Sequence, residues 1–555
     1  MRTFFKHKNI ILLLFIFIGG FFRLYNLNWG APFYFHPDER NIASAITQLQ
    51  FPAQMNPHFF AYGSLPIYLV YFSNLFINFL TTCRFTFSNC PVIFDQAIVG
   101  LRLLSSILSI LLIPLMYLIG KKMKDKILGI WLALLTTTSV GFIQYSHFGT
   151  YETVITFFTA LLFFACLKLW QKTNKQNIFF CALVSGMLVS CKVTNIVLLV
   201  IPVIILLINF FKYWKFEKKM FRQFIFLFLS TLAFFSIVSV VSFLTNPYTF
   251  FDYNSFVGSM RYESGVALNT EPVFYTGEFY NTSPILFQMQ HDFPFLITPF
   301  LLFLFLPALA YIFFRSILKF CNANFILCLI FLFLTLIPQA FFFVKWTRYM
   351  VPVLPFIYII LGITLLDFWN WFVKKRQAFS IQYLVFGIFI LINFVYAMSF
   401  VITVYVEPDS RIAAAQYAHQ HIAGDSPILS EVYDMGLVAF NQTFSNIKMF
   451  NFYDLEYNTP ESNQFTLQQA LKNSDYIILP SQRLLKVRLL NAKKFPAGNE
   501  FYKQLFSGEN GFQKIYETPC DIWCLITYSG SPVYSYEETA NVFDRPEVYI
   551  FKKKQ

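Results

Sequence analysis

In the stretch FYFHPDERNIAS, Phe33 to Ser44, two carboxylates, Asp38 and Glu39, stand side by side. Neighbouring acids repel, and acids close to a bilayer are costly unless each has a partner or a task. One such task is general-base work, taking the proton from an attacking hydroxyl. Three other ionisable residues stand in equally unusual settings. They are Glu152 in YSHFGTYET, Lys192 in SCKVT between two apolar runs, and Arg348 in KWTRYMVP between two more. Singly, each has a plain reading, because interfacial Lys and Arg snorkel and an acid can cap a helix. Gathered on one face, they describe a polar cavity. Its cations would hold a departing phosphate, whose stability as an anion removes the need for a general acid.

The elements that must position these residues are membrane helices. Apolar residues make up 57% of the 555-residue chain and charged ones only 13%, against roughly 25% charged in soluble chains. Runs long enough to cross a bilayer predict about eleven spanning helices. They lie near 9–24, 97–120, 127–147, 153–170, 178–192, 193–211, 222–245, 294–314, 325–344, 349–368 and 381–403. Arg2, Lys6 and Lys8 before the first run resemble a signal-peptide start. No small-residue cleavage site follows, and FFRLY reads on as an interfacial end, so this run is expected to stay as an uncleaved helix. The formal charge of +13 does not indicate nucleic acid, because the cations cluster in short loops between apolar runs.

Those cations fall in alternate loops. Lys121 to Lys126, Lys168 to Lys175, Lys212 to Arg222, Arg315 with Lys319, and Lys374 to Arg376 share a side with the N-terminus. The opposite loops hold few: Arg40, Arg84, Lys192, Arg261, Lys345 and Arg348. The positive-inside rule then predicts a multi-pass protein of the plasma (inner) membrane, its N-terminus cytoplasmic and its tail extracytoplasmic. The run 65–80 would invert every later loop if it spanned. It contains Pro66 and is flanked by Asn56, Pro57 and Gly63, so it is read as a juxtamembrane or re-entrant helix on the outer face. Residues 25–96 become one long external loop, and Asp38, Glu39, Glu152, Lys192 and Arg348 all face outward.

Two domains follow, a membrane domain over 1–403 and a soluble one over 404–555. In the second, helix 411–422 precedes a strand at 427–433 and helix 466–474 precedes a strand at 475–480, with a last strand at 547–552. That order predicts a small α/β fold. It contains no Gly-rich phosphate loop and no nucleophile elbow. His419 and His421, two apart on a helix, point away from each other and are read as a solvated face. Two external cysteine pairs are close enough to bond, Cys83 with Cys90 and Cys520 with Cys524; the second is preferred as the disulfide and the other cysteines are expected as thiols.

RLYNLNWGAP (Arg23 to Pro32) followed by HPDER (His36 to Arg40) resembles the first external loop of a known group. These are the GT-C glycosyltransferases of the protein O-mannosyltransferase and aminoarabinose transferase type. LRLLSS (Leu101 to Ser106), YLIGKK (Tyr117 to Lys122), QYSHFGTYE (Gln144 to Glu152), GMLVSCKVT (Gly186 to Thr194), NPY (Asn246 to Tyr248) and RYMVPVLP (Arg348 to Pro355) continue the series in the family's order. YIILPS, Gly511 with Phe512, and VFDRPEVYIF are similar to the tails of bacterial members. The resemblance implies a GT-C fold and inverting transfer of a sugar from a polyprenyl-phosphate carrier to an acceptor hydroxyl or amine. Asp38 would be the base, with Glu39 supporting it or orienting substrates. Glu152 matches a second acidic position where bacterial relatives often carry Asp. Lys192 and Arg348 match cations that hold the lipid phosphate. The resemblance implies no required cofactor and leaves a divalent metal open; His36 is read as an interfacial histidine ahead of a ligand. The partners are the lipid-linked donor, the bilayer, and a lipid, glycan or protein acceptor, with no nucleic acid. Residues 246–293 are too short for the β-trefoil insert of the eukaryotic members, so a protein acceptor does not follow.

A transporter or flippase of lipid-linked sugars is the main rival. It predicts charges at mid-membrane depth and matched, interrupted helices in two halves, whereas no internal repeat is evident and the charges sit at one face. A structural or assembly protein would leave the clustered acids and cations unexplained.

Overall fold

The computed structural model describes residues 8–83, 90–212, 220–318, 323–374, 379–432, 437–452, 456 and 466–554. Arg2, Lys6, Arg84, Lys215, Lys218, Lys219, Lys319, Cys321, Lys375, Arg376 and the end of the 427–433 strand lie outside them.

Among the described residues, seven helices are long and apolar enough to cross a membrane, or nine when each of two bent pairs is one span. Asn9–Leu24, Leu65–Thr81 and Lys175–Cys191 are shorter apolar helices. The expected set comprises the nine together with the first and last of these three. In chain order the membrane part begins with α1 (Lys8–Leu24), α2 (Pro37–Thr47), α3 (Leu65–Thr81), α4 (Phe94–Met123), α5 (Lys126–Thr137), α6 (Val140–His147), α7 (Glu152–Gln171) and α8 (Lys175–Cys191). It continues with α9 (Val200–Lys212), α10 (Met220–Thr245), α11 (Tyr248–Phe251), α12 (Tyr253–Leu268), α13 (Phe293–Ile297), α14 (Pro299–Leu318), α15 (Ala323–Ala340), α16 (Leu354–Lys374) and α17 (Phe379–Val401).

Two runs expected as single helices are each broken into two. The run 127–147 bends by 53° between α5 and α6, where Ser139 caps α6 by accepting from the Phe142 N–H at 3.3 Å. The run 294–314 turns by 113° at Thr298. Thr298 precedes Pro299 and has φ of 80°, a conformation no helix interior accommodates. Helix α3 packs against α2 and α4, with Ile67, Val70, Tyr71 and Leu75 buried and Phe72, Phe76 and Ile77 exposed.

The cysteines depart from expectation at one pair. Cys520–Cys524 is a disulfide, and so is Cys83–Cys90, for which two thiols are expected from sequence. Asn78 near the end of α3 donates to Pro91 O (2.9 Å) and to Gln96 Oε1 (3.0 Å). These bonds draw the two ends of the intervening loop together, with the cysteine Cα atoms 5.7 Å apart, a spacing that suits a bridge. Cys166, Cys181, Cys191 and Cys328 are buried thiols.

The tail carries a five-stranded mixed sheet ordered β2-β1-β3-β5-β4. The strands are β1 (Ile428–Glu431), β2 (Ile447–Phe450), β3 (Tyr476–Leu479), β4 (Phe512–Glu517) and β5 (Tyr549–Lys553). Strand β1 is parallel to β2 and β3, while β5 is antiparallel to β3 and β4. The sequence pattern predicts β1, β3 and β5 but neither β2 nor β4. Alternate residues serve opposite faces: Leu429, Ile477, Leu479 and Phe551 pack in one core, and Ile428, Tyr476, Ile478 and Ile550 in another. The second core includes Phe35 of the first loop. Cys524, Tyr528, Tyr536 and Phe543 pack instead with the membrane helices. The tail therefore closes over the loop that carries Asp38.

Candidate functional site

Pro37 occupies the first turn of α2 without disturbing it, since the missing N–H there has no helical partner to lose. Asp38 and Glu39 follow in that turn, where the helix dipole favours negative charge. Successive helical side chains point about 100° apart, so the two acids part company. Glu39 is 0% exposed and is gripped by Arg102 of α4 through two bonds, Nε to Oε1 at 2.5 Å and NH2 to Oε2 at 2.8 Å. Its Oε1 also accepts the Gly149 N–H at 3.0 Å. A Cβ on Gly149 would lie 2.8 Å from that oxygen, so the close approach requires glycine. The NH1 of Arg102 donates to the Leu27 and Trp29 carbonyls, at 2.8 and 2.9 Å, and the guanidinium lies over the Trp29 ring. Glu39 thus ties the first loop to α4 and to the turn between α6 and α7, and it lines neither of the cavities that Asp38 and Lys192 border.

Asp38 points the other way and pairs with Arg348. Its side chain is 32% exposed and that of Arg348 18%. Burial pushes the Asp38 carboxyl up, but Arg348 and the surrounding cations outweigh it and hold the group below its ordinary range. Arg348 is the second residue of a 3-10 segment, Thr347–Val353, between α15 and α16, and its guanidinium lies over the Trp346 ring at 4.2 Å.

Lys192 ends α8 and faces two aromatic rings, Tyr349 at 4.9 Å and Tyr62 at 5.4 Å. The Tyr62 loop is pinned beside it. The Gly63 N–H donates to Cys191 O at 2.9 Å, and a Cβ there would lie 1.9 Å from Ser190 O. Asn246 of the NPY motif accepts the Ser64 N–H at 2.6 Å, and Tyr151 donates to Gly63 O at 2.7 Å. Lys192, Arg348, Tyr62 and Glu263 border a cavity of about 420 Å³ whose far wall is apolar, with Phe250, Phe256 and Phe342. Tyr62, Glu263 and Arg348 also border a second cavity, of about 500 Å³, that contains Asp38 and reaches Arg483 and Glu538 of the tail. The Asp38–Arg348 pair therefore stands where a mostly apolar cavity lined by Lys192 and Glu263 adjoins one lined by mixed charged and aromatic side chains.

Glu152 opens α7 and is buried. It lines neither cavity, but its charge acts on Lys192 and Arg348, and its Oε2 makes no hydrogen bond. His36 is packed between Phe148 and Phe543, with ring centroids at 4.6 and 4.4 Å. Burial pushes its imidazole down to about 4 against the pull of Asp38 and Glu39, which keeps it neutral. Among the described residues no cluster of three His, Cys, Asp or Glu is arranged to hold a metal ion.

The structure thus brings Asp38, Lys192 and Arg348 to two adjoining cavities that share Tyr62, Glu263 and Arg348, with Glu152 buried within electrostatic reach of both cations and Glu39 turned into its pair with Arg102. Sequence reasoning missed Arg102, Tyr62, Tyr349, Glu263, Arg483 and Glu538. Arg102 carried a signal, a cation set within the apolar run of α4 and far from Lys121 and Lys122 at its end. Glu263 on α12 carried a weaker one, an acid in the long 246–293 segment whose carboxyl burial raises despite Arg348 and Lys192. Arg483 and Glu538 carried none, because the tail's docking is a long-range event.

Residues 86–243 match the family described as dolichyl-phosphate-mannose-protein mannosyltransferase. Over that stretch the chain is similar to a glycosyltransferase family of the kind the motifs indicated. No curated protein matches the chain. Among solved structures, the oligosaccharyltransferase of Archaeoglobus fulgidus in its apo form is 13% identical, with 99% of this chain and 88% of that one covered and a TM-score of 0.47. ArnT from Cupriavidus metallidurans bound to undecaprenyl phosphate is 11% identical, with 99% and 98% covered and a TM-score of 0.42. The arabinofuranosyltransferase AftD from Mycobacteria is 12% identical, with 99% and 40% covered and a TM-score of 0.38. A likeness of this degree does not bear on substrate or mechanism.

Proposed function

We propose that this protein is an inverting glycosyltransferase that moves a sugar from a polyprenyl-phosphate carrier to an acceptor hydroxyl at the extracytoplasmic face of the plasma membrane. The observation that carries this reading is the Asp38–Arg348 pair at the meeting of the two cavities. The donor's phosphate would sit at Lys192 and Arg348, its chain leaving along the apolar wall, and the acceptor would approach from the second cavity. The acceptor hydroxyl attacks the anomeric carbon, its proton passes to Asp38, and the phosphate departs with the bonding electron pair. When phosphate binds, it competes for Arg348 and so relieves the charge that depresses the Asp38 carboxyl. The base thereby strengthens at the moment the donor is in place. Glu39 and Glu152 take supporting roles, and no step needs a cofactor.

The test is turnover of a panel of polyprenyl-phosphate sugars by purified wild type and Asp38→Asn. Loss of a general base costs on the order of 10²–10⁴ in rate; undiminished turnover by the variant would remove Asp38 from the mechanism. Orientation is tested by labelling single cysteines placed at Lys121 and Asp38 in sealed vesicles. Opposite sides are expected, and labelling from one side would overturn the topology.

A further inference from the structure

The second cavity, lined by both charged and aromatic side chains, is walled by parts far apart in the chain: α2, the Tyr62 loop, α12, the Trp346 segment, and two pieces of the tail around Arg483 and Glu538. Its volume, about 500 Å³, falls in the range of roughly 300–1,000 Å³ usual for small-molecule sites. We propose that this cavity takes a neutral saccharide as acceptor, and that the tail residues Arg483 and Glu538 help to select it. The inference rests on reading the chain as a sugar transferase.

Three features of the lining carry it. First, flat aromatic faces alternate with charged side chains. Trp346 and Tyr275 lie with ring centroids 6.0 Å apart, and Arg483 stands over the Tyr275 ring at 5.8 Å. A sugar ring offers an apolar C–H face to such rings and a rim of hydroxyls to the charges. Carboxylates only accept and guanidiniums only donate, whereas a hydroxyl does both and can serve each in turn. Second, the charges nearly balance: Asp38, Glu263 and Glu538 against Arg348 and Arg483. Arg483 already grips Glu538 through bonds of 3.1 and 2.8 Å. An anionic acceptor would add negative charge where carboxylates already outnumber guanidiniums. Third, the lining residues belong to helices, turns and loops and to no strand. The cavity therefore offers no sheet edge to an extended peptide. In the transfer step the acceptor oxygen forms its bond to the anomeric carbon as the carbon–phosphate oxygen bond breaks. Asp38 takes the hydroxyl proton and the lipid phosphate keeps the electron pair.

The experiment uses the full-length protein in lipid nanodiscs with the polyprenyl-phosphate sugar panel. It compares a neutral oligosaccharide, an anionic phosphoglycolipid and a Ser/Thr-containing peptide as acceptors. The oligosaccharide should raise lipid-phosphate release at least tenfold over hydrolysis. Glu538→Gln and Tyr262→Ala should each raise the acceptor KM about tenfold with the donor KM unmoved; Tyr262 lines the cavity but is half exposed, so its loss spares the core. Stimulation only by the peptide or the phosphoglycolipid would overturn the saccharide proposal and leave the transferase reading intact. Saturation-transfer NMR of the same oligosaccharide on Asp38→Asn reads binding without turnover. Contacts that vanish on adding Tyr262→Ala support the site even if no donor is consumed, an outcome that would sink the transferase reading alone. Contacts that are absent, or unchanged by Tyr262→Ala, overturn the site.

Discussion

Asp38 and Arg348 lie 310 positions apart in the chain and form an ion pair at the junction of the two cavities. The pair couples the group that would accept the proton to the group that would hold the phosphate. Neither can change state without affecting the other.

The coupling has a sign that kinetics can read. Burial raises the Asp38 carboxyl and Arg348 lowers it, with the net effect downward. Arg348→Gln removes the largest opposition to burial, leaving Arg483 as the remaining nearby cation, so the acid limb of kcat/KM against pH should move to higher pH. Arg348→Lys should leave the limb nearer its original place while donor binding weakens, because Lys lacks the two-pronged fork. An acid limb unmoved in Arg348→Gln would mean that another group is the base.

Lys192 is predicted to act on the donor alone. Removing a hydrogen-bonding charge from an anionic ligand costs about 1.5–3 kcal/mol, roughly ten- to a hundredfold in kcat/KM. Lys192→Gln should show this loss for the donor with the acceptor KM unchanged. An equal loss for both substrates would place Lys192 elsewhere in the mechanism.

Glu39 and Arg102 should behave as structure. Both are 0% exposed, and removing one member of a buried pair typically costs about 3–5 kcal/mol because the other is left charged and alone. Arg102→Met should sharply lower the midpoint of thermal unfolding in detergent. Adding Glu39→Leu to it should recover much of the loss, as an apolar replacement of the whole pair often does. A double variant no more stable than Arg102→Met would show that the pair does more than neutralise itself.

The tail's attachment should weaken as pH rises. Glu537 is buried, accepts the Thr347 N–H at 3.0 Å, and is pushed up to about 7 by burial and by Glu278 and Glu538. Burial pushes Asp544 up to about 7 as well. Between the ordinary carboxyl range and about 7, the folded protein holds these protons and the unfolded chain does not. Stability is therefore fully present at lower pH and falls as pH rises through that window. The unfolding midpoint should decline from pH 5.5 to 8, and Glu537→Gln should flatten part of the decline. The same slope in that variant would assign the effect to other groups.

Much of the membrane part was legible because bilayer crossing is a local demand: each helix must be apolar along its own length, whatever surrounds it. The bends at Ser139 and Thr298 were less legible, since hydropathy averages over the one or two residues that turn the chain. In the tail, β1, β3 and β5 announced themselves as apolar runs. Strand β2, buried at one end only, and β4, half polar and buried only at Phe512, did not.

The sequence by itself determined the class of the molecule, the order of its helices and the ionisable residues that a bilayer would not tolerate without cause. Asp38, Glu152, Lys192 and Arg348 were visible on those grounds alone. Only the tertiary structure decided how Asp38 and Glu39 divide their work. Adjacent in sequence, they diverge by the angular step of a helix, one toward Arg348 and the cavities, the other into a buried pair with Arg102. Which cation each acid meets depends on packing between segments tens to hundreds of residues apart. The same long-range packing brought Arg483 and Glu538 of the tail to the wall of the site, and no local pattern encodes it.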